Sequence, residues 1–199
     1  MSPWECIVSR LLFGSHLVAA EWEVRNIAPA EARAFIAMHH YSRGSSLTGV
    51  YHHGLFRRGS CTLMGVAHWL PPTKPAAMSV NPENWRRVLS LSRLVVHPSC
   101  PTNAASFLMA RSIRMIRREG KWRSLVTYAD ESQGHRGQIY RATNWHYVGP
   151  SSNYPRWIDP LTGRQVATLS TKTRTKQQML DLGYQLVGRF LKHKFVMHL

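Results

Sequence analysis

Carboxylates are what this 199-residue sequence has least of. Ten Asp and Glu face 26 Lys and Arg, a formal net charge of +16. So basic a chain pairs with nucleic acid, an anionic membrane surface or anionic metabolites. Its basic residues are spread through the predicted elements rather than gathered in a tail, which puts nucleic acid first. Cysteine is also scarce. Cys6, Cys61 and Cys100 have no pair spacing, which excludes a zinc pattern and a disulfide framework and points to a reducing compartment. No Gly-x-Gly cofactor loop, Walker phosphate loop or zinc-deaminase signature occurs. Asn81-Pro82-Glu83-Asn84 lacks the paired prolines and the aromatic residue of an adenine methyltransferase motif, and no helix-turn-helix pair is evident. The apolar run Ile7 to Ala20 is interrupted by Arg10 and His16, with Glu5 ahead of it. It predicts neither a signal peptide nor a membrane span.

What is present is a globular composition, 44% hydrophobic and 18% charged, sized for one domain over 1–199. The stretch from Ser90 to Gly149 organises it. A strand over Leu91–Val96 is stopped by Pro98 and Pro101, and a helix runs from about Asn103 to Glu119. A strand over Ser124–Asp130, a helix over Gln138–Trp145 and a short strand over His146–Gly149 come next. This alternation predicts an α/β (α+β) fold, a central mixed sheet with helices on both faces. In such sheets ligands gather at the carboxyl ends of the strands, which places Arg93, Asp130 and Tyr140 in or near one crevice.

On the 103–119 helix, Ala104, Ala105, Leu108, Met109, Ile113, Met115 and Ile116 share one half of the wheel. Arg111, Arg114, Arg117 and Arg118 share the other, as a solvated face or a phosphate contact. Upstream, Trp22–Ile27 reads as a strand, and Pro29 opens a helix carrying Phe35, Ile36 and Met38 on one side. Leu47–Tyr51 and Cys61–Leu70 predict a hairpin around a basic turn, His52 to Gly59, that holds Arg57 and Arg58. Downstream, Pro150–Asp159 reads as a loop and Arg164–Leu169 as a strand. Lys176–Leu182 reads as a helix stopped by Gly183, and Tyr184–Val196 as one or two closing strands.

Arg93 is the strongest single site residue. An arginine inside a strand flanked by Leu91, Leu94, Val95 and Val96 is buried only if it meets an anion or a carboxylate. Asp130 ends a strand, as an N-cap for the next helix or as a base or orienting carboxylate in the crevice. Tyr140 is a half-buried helix tyrosine or a proton donor to a leaving group. His39, His40, Tyr41, His52, His53, Cys61 and His68 lie within thirty residues and offer lone pairs to iron or zinc, though their spacing fits no standard motif. The plain alternative is a mixture of surface and packed histidines.

The run Tyr128-Ala129-Asp130, then Gly134-His135-Arg136-Gly137-Gln138-Ile139-Tyr140-Arg141-Ala142-Thr143-Asn144-Trp145-His146-Tyr147-Val148-Gly149, resembles the Mom family of phage DNA-modification proteins. Leu91-Ser92-Arg93-Leu94-Val95, the helix start Asn103 to Leu108, and His40-Tyr41-Ser42 resemble the family's other landmarks, in order. The resemblance implies a fold related to the GNAT acyltransferases. It also implies conversion of adenine in double-stranded DNA to its N6-carbamoylmethyl (acetamido) derivative, which blocks host restriction, in the host cell cytoplasm. It marks His40, Tyr41, Cys61, Arg93, Asp130 and Tyr140 as site residues, with ferrous iron held by His40 and Tyr41.

GNAT enzymes cradle coenzyme A on a glycine-rich loop before the helix that here begins near Asn103. Pro98-Ser99-Cys100-Pro101-Thr102 stands there instead, which speaks against acetyl-CoA. The helix start at Asn103, Ala104 and Ser106, with Arg93, would take the anionic part of an acyl or glycine-derived donor, small or carrier-bound. Arg57, Arg58, Arg111, Arg114, Arg118, Lys172, Arg174 and Lys176 would neutralise phosphates of double-stranded DNA. Two other readings stay open: an acetyl-CoA-dependent N-acyltransferase on a small amine or protein, and a non-enzymatic DNA-binding module.

Overall fold

The computed structural model describes residues 16–151, 153–166 and 173–199. They form two compact units. The first holds residues up to Thr127 with Ile139–His146 and Val196–Leu199, and the second holds Tyr128–Gln138 and Tyr147–Phe195. Among the described residues no helix is long and apolar enough to cross a membrane.

The first unit carries β1 (Trp22–Asn26), β2 (Tyr51–Arg57), β3 (Gly65–Leu70), β4 (Val88–Val96) and β5 (Ser124–Asp130) as far as Thr127, in that order. The first three pairings are antiparallel and β4 pairs β5 in parallel. The parallel pairing is short. It joins Val88–Ser90 to Ser124–Val126, and then only the Thr127 hydroxyl reaches back, to the Leu91 carbonyl at 3.2 Å.

Helices cover both faces. α1 (Pro29–His39) buries Ala32, Phe35 and Ile36 against Val66, with Ile27, Leu63 and Val95 around them. Met38, expected on that side, is 72% exposed. α3 (Ala104–Arg118) takes the other face with Ala104, Leu108, Met109, Ile113 and Ile116, and its Arg111, Arg114, Arg117 and Arg118 are exposed as the wheel predicts. Burying those five apolar side chains contributes about 1.5–3 kcal/mol each for the larger ones before entropy is charged against it. Between them α2 (Lys74–Met78) interrupts the stiff Pro71–Pro75 loop.

Three expectations are corrected. The segment read as a basic turn is strand β2 itself, buried from His52 to Phe56; the connection is the short stretch from Arg58 to Met64. Strand pairing satisfies the backbone there, and the histidines go inside because each meets a protein neighbour. The helix α4 covers only Gln138–Ala142, because Asn144 at φ 64° leaves the helical region. Pro150–Asp159 is not all loop, since Tyr154–Ile158 forms β7.

In the second unit β7 pairs antiparallel with β8 (Gln185–Phe190). α5 (Lys176–Asp181) is closed by a capping box from Thr175 and Gln178 and followed by Gly183 at φ 79°. β9 (Lys192–His198) runs beside β6 (His146–Pro150), where Ser151 N donates to Lys192 O at 2.7 Å. Of the strand expected over Arg164–Leu169, Gln165 bridges Ile158; residues 167–169, like Cys6 and Lys172, lie outside the described residues.

Candidate functional site

Register alone assembles a polar row on the α1 face of the first unit. His52 pairs with His68, and His68 pairs with Arg93, across three adjacent strands. The two imidazoles meet edge to face at 4.7 Å. His53, one residue on, points to the opposite face, where Ser112 bonds its Nδ1 at 2.6 Å and accepts from Trp69 Nε1 at 2.7 Å.

The row is dry. His68 is fully buried, and neither of its ring nitrogens has a hydrogen-bond partner. Burial first, then the charges of His52, Arg93 and Arg33, pull its pKa from 6.5 down to about 4. It is therefore a neutral imidazole at pH 7, with one N–H unsatisfied, a group that costs roughly 1–3 kcal/mol. Arg93 is half-buried. Its Nε donates to Gly44 O at 2.9 Å, and one terminal nitrogen donates to Ser92 O at 2.7 Å and Ser92 Oγ at 3.2 Å. Burial pushes its pKa down, and the neighbouring Tyr41 phenol pushes it back up. Among the described residues its partners include no carboxylate.

Gly49 closes over the row. A Cβ there would stand 2.4 Å from His68 Cε1 and 2.6 Å from His52 Nε2. Gly49→Ala is therefore expected to destabilise the protein by about 1–3 kcal/mol. A lowered thermal midpoint checks this. An unchanged midpoint would mean the segment does not sit against the histidines.

Tyr140 belongs to the same unit. It packs edge to face on Trp145 at 5.9 Å, and Trp145 stacks on Trp69 at 6.5 Å. Burial pushes its phenol pKa up and a hydrogen bond with Thr127 opposes that. Because Thr127 also bonds Leu91 O, the phenol is tied to β4 two residues before Arg93. Tyr41 is thus the phenol beside Arg93, whereas Tyr140, through Trp145 and Trp69, lies on the Ser112 face, opposite the His68–Arg93 row.

Asp130 stands in the second unit. Its Oδ1 accepts from Ser132 N at 3.0 Å, Ser132 Oγ at 2.7 Å and the Tyr154 hydroxyl. That is the capping duty foreseen for it, and Tyr154 is a partner that the sequence did not signal. Arg156 adds a bond from its terminal nitrogen to Ser132 O at 2.9 Å.

The remaining positions are mostly committed locally. His40 ends α1, its Nδ1 engaged with Ser42 Oγ at 2.8 Å and its ring 4.2 Å from that of Tyr41. Cys61 is exposed in the β2–β3 connection. Among the described residues no three His, Cys, Asp or Glu group to hold a metal. The imidazole pair of His52 and His68 has guanidiniums beside it, which disfavours a cation between those two rings. Arg57 pairs with Glu21 at 3.7 Å, and Arg58 Nε donates to Ala20 O at 2.9 Å. Both hold the β1–β2 edge.

At the start of α3 several backbone donors are already engaged. Ser99 N, Cys100 N and Ala104 N are spent on His97 Nδ1, His97 O and Pro101 O, while Pro98 and Pro101 carry no N–H. Asn103 Oδ1 accepts from Leu17 N at 2.5 Å, and Ser106 Oγ donates back to Asn103 O. Burial raises the Cys100 pKa to about 11, so it stays a thiol.

Comparison with known proteins agrees with this architecture. An N-acetyltransferase from Staphylococcus aureus Mu50 superposes with a TM-score of 0.52 at 13% identity, over 89% of this chain and 98% of that one. A GCN5-related N-acetyltransferase from Kribbella flavida gives 0.53 at 13% identity, over 92% and 100%. At such identities the likeness shows the acetyltransferase fold alone. The methylcarbamoylase mom of Escherichia phage Mu is 28% identical over 141 residues, 65% of this chain. The chain spans about half the length of that curated relative, 54%. The model of the Mom protein family matches residues 21–198, nearly the whole sequence, and the chain belongs to that family.

Proposed function

We propose that this protein is a transferase that places a carbamoylmethyl group on the exocyclic amine of adenine in double-stranded DNA and so shields phage DNA from restriction. Family membership and the relative's name support the chemistry. The acetyltransferase fold supports group transfer, and the net charge of +16 supports a polyanionic substrate. The observation that carries the reading is Arg93, a half-buried guanidinium on β4 beside Tyr41, with no carboxylate partner among the described residues.

In the reaction a bond forms between adenine N6 and the donor's methylene carbon, and the bond from that carbon to its leaving group breaks. The leaving group departs with the electron pair, and N6 gives up a proton. Arg93 holds the donor's carbonyl oxygen, where a fixed charge in a dry site counts most. The donor is an activated acetamide or glycine-derived group, since the added atoms form a glycinamide skeleton. The target base must leave the stack, at a few kcal/mol. The exposed Arg111, Arg114, Arg117 and Arg118 face suits the flanking phosphates.

The test is nucleoside mass spectrometry of DNA from cells making the protein. A modified adenine with the mass of a carbamoylmethyl addition is expected. Soluble, folded protein with unmodified adenine alone would overturn the reading.

A further inference from the structure

The second unit contains a cleft that this chemistry leaves unused. It has a volume of about 170 Å³ and lies between the β7–β8 pair and α5. Strand register builds it. Pro155 stands opposite Arg189, and Trp157 opposite Leu186, so the four share one side of the hairpin. Pro155, Trp157 and Leu186 with Met179 of α5 make an apolar floor, in which Trp157 and Met179 are only 3% and 1% exposed. The rim is cationic. Arg174 and Lys176 come from the start of α5 and Arg189 from β8, all exposed, and none of the residues lining the cleft is acidic. Arg189 is further oriented by donating to Asn153 O at 3.3 Å.

Lys176 and Arg189 at one opening repel each other, and an anion between them reverses that cost. An apolar floor beneath a cationic rim asks for a ligand charged at one end and carbon-rich at the other. A phosphodiester with its deoxyribose has that form. Free phosphate would meet the rim and leave the floor bare.

We infer that this cleft seats a backbone phosphate and its sugar from the duplex, with Arg174, Lys176 and Arg189 as the phosphate contacts and Pro155 and Leu186 against the deoxyribose. The identity of the polyanion as duplex DNA rests on the function proposed above. The contact carries no base information, so it fixes where the duplex lies and not which sequence is chosen.

The experiment is fluorescence anisotropy of a labelled duplex titrated with the full chain at several salt concentrations. It compares the wild type, Arg174→Gln, Lys176→Gln, Arg189→Gln, the triple variant, and Arg164→Gln as an exposed cation outside the cleft. Each cleft substitution is expected to flatten the slope of log affinity against log salt by about 0.9, and the triple variant by roughly 2–3, uniformly across duplex sequences. Arg164→Gln should leave the slope in place. All the substitutions replace exposed side chains, and the thermal midpoint confirms that each variant folds. The charge reversal Lys176→Glu with Arg189→Glu should weaken binding beyond the neutral pair.

An unchanged slope in the triple variant overturns the inference. So does an equal flattening by Arg164→Gln. The two proposals fail separately. Wild-type protein that grips DNA through the cleft but leaves adenine unmodified removes the function and keeps the cleft, whereas modification with a wild-type slope in the triple variant does the reverse.

Discussion

Replacing Arg93 with methionine is expected to lower the yield of modified adenine by about 10²-fold or more while leaving duplex affinity unchanged. The guanidinium makes two kinds of contact. Bonds to Gly44 O and Ser92 hold the chain, and the charge itself has no acidic partner among the described residues. Methionine keeps the bulk and the apolar stem and removes only the donors and the charge. Arg93→Lys separates the two roles further. Lysine restores the charge but not the planar fork, so it should recover stability more than activity. The readouts are nucleoside mass spectrometry for the reaction, anisotropy for the duplex and thermal unfolding for the tether. A variant that modifies adenine at the wild-type rate would leave Arg93 as a structural residue and remove the observation on which the proposed function rests.

A second large effect is expected in acid. His53 and His68 both have pKa values lowered to about 4 from 6.5, through burial first and then neighbouring charge. Between those values the unfolded chain binds more protons than the folded one, so stability increases with pH across the window. The contribution is complete above pH 6.5 and is lost as the pH falls toward 4. Each histidine accounts for on the order of 3 kcal/mol over that range. Against a total stability of roughly 5–15 kcal/mol, the pair can decide whether the protein stays folded at pH 4.5. Urea unfolding at pH 7.5, 6.0, 5.0 and 4.5 measures the slope. His68→Leu, which removes one titrating group and its orphaned N–H together, should flatten it. A profile insensitive to that change would mean that other groups govern the acid limit.

Much of the central architecture was legible because hydrophobic period and composition agree there. The α3 wheel separates its apolar and arginine faces without ambiguity, and Ser124–Asp130 is a short apolar run ended by an acid. The β2 segment was misread for a physical reason. His52-His53-Gly54 looks like turn chemistry, yet cross-strand pairing puts one histidine on each side of the sheet, and Gly54 is needed because a Cβ would strike Ile27 Cγ2 at 2.7 Å. Pro155 obscured β7 in the same way, since proline suits an edge strand but reads as a break. Within the site, Arg93 was visible as a charge in an apolar strand. The imidazoles beside it were visible as residues, but their row is a matter of register, which no local pattern encodes. Tyr154 on Asp130 and Gly49 over His68 are contacts between distant segments and left no trace in the sequence.

The outer strand of the first unit has one more consequence. β1 pairs β2 on one side, and among the described residues no strand pairs its other side; Glu23 and Arg25 stand at alternate positions along it, with Arg57 and Arg58 on the adjoining strand end. A second molecule seeking to extend the sheet by a strand would have to strip water from these ions and set like charges together. The same residues that brace the margin therefore guard against fibre-like self-association.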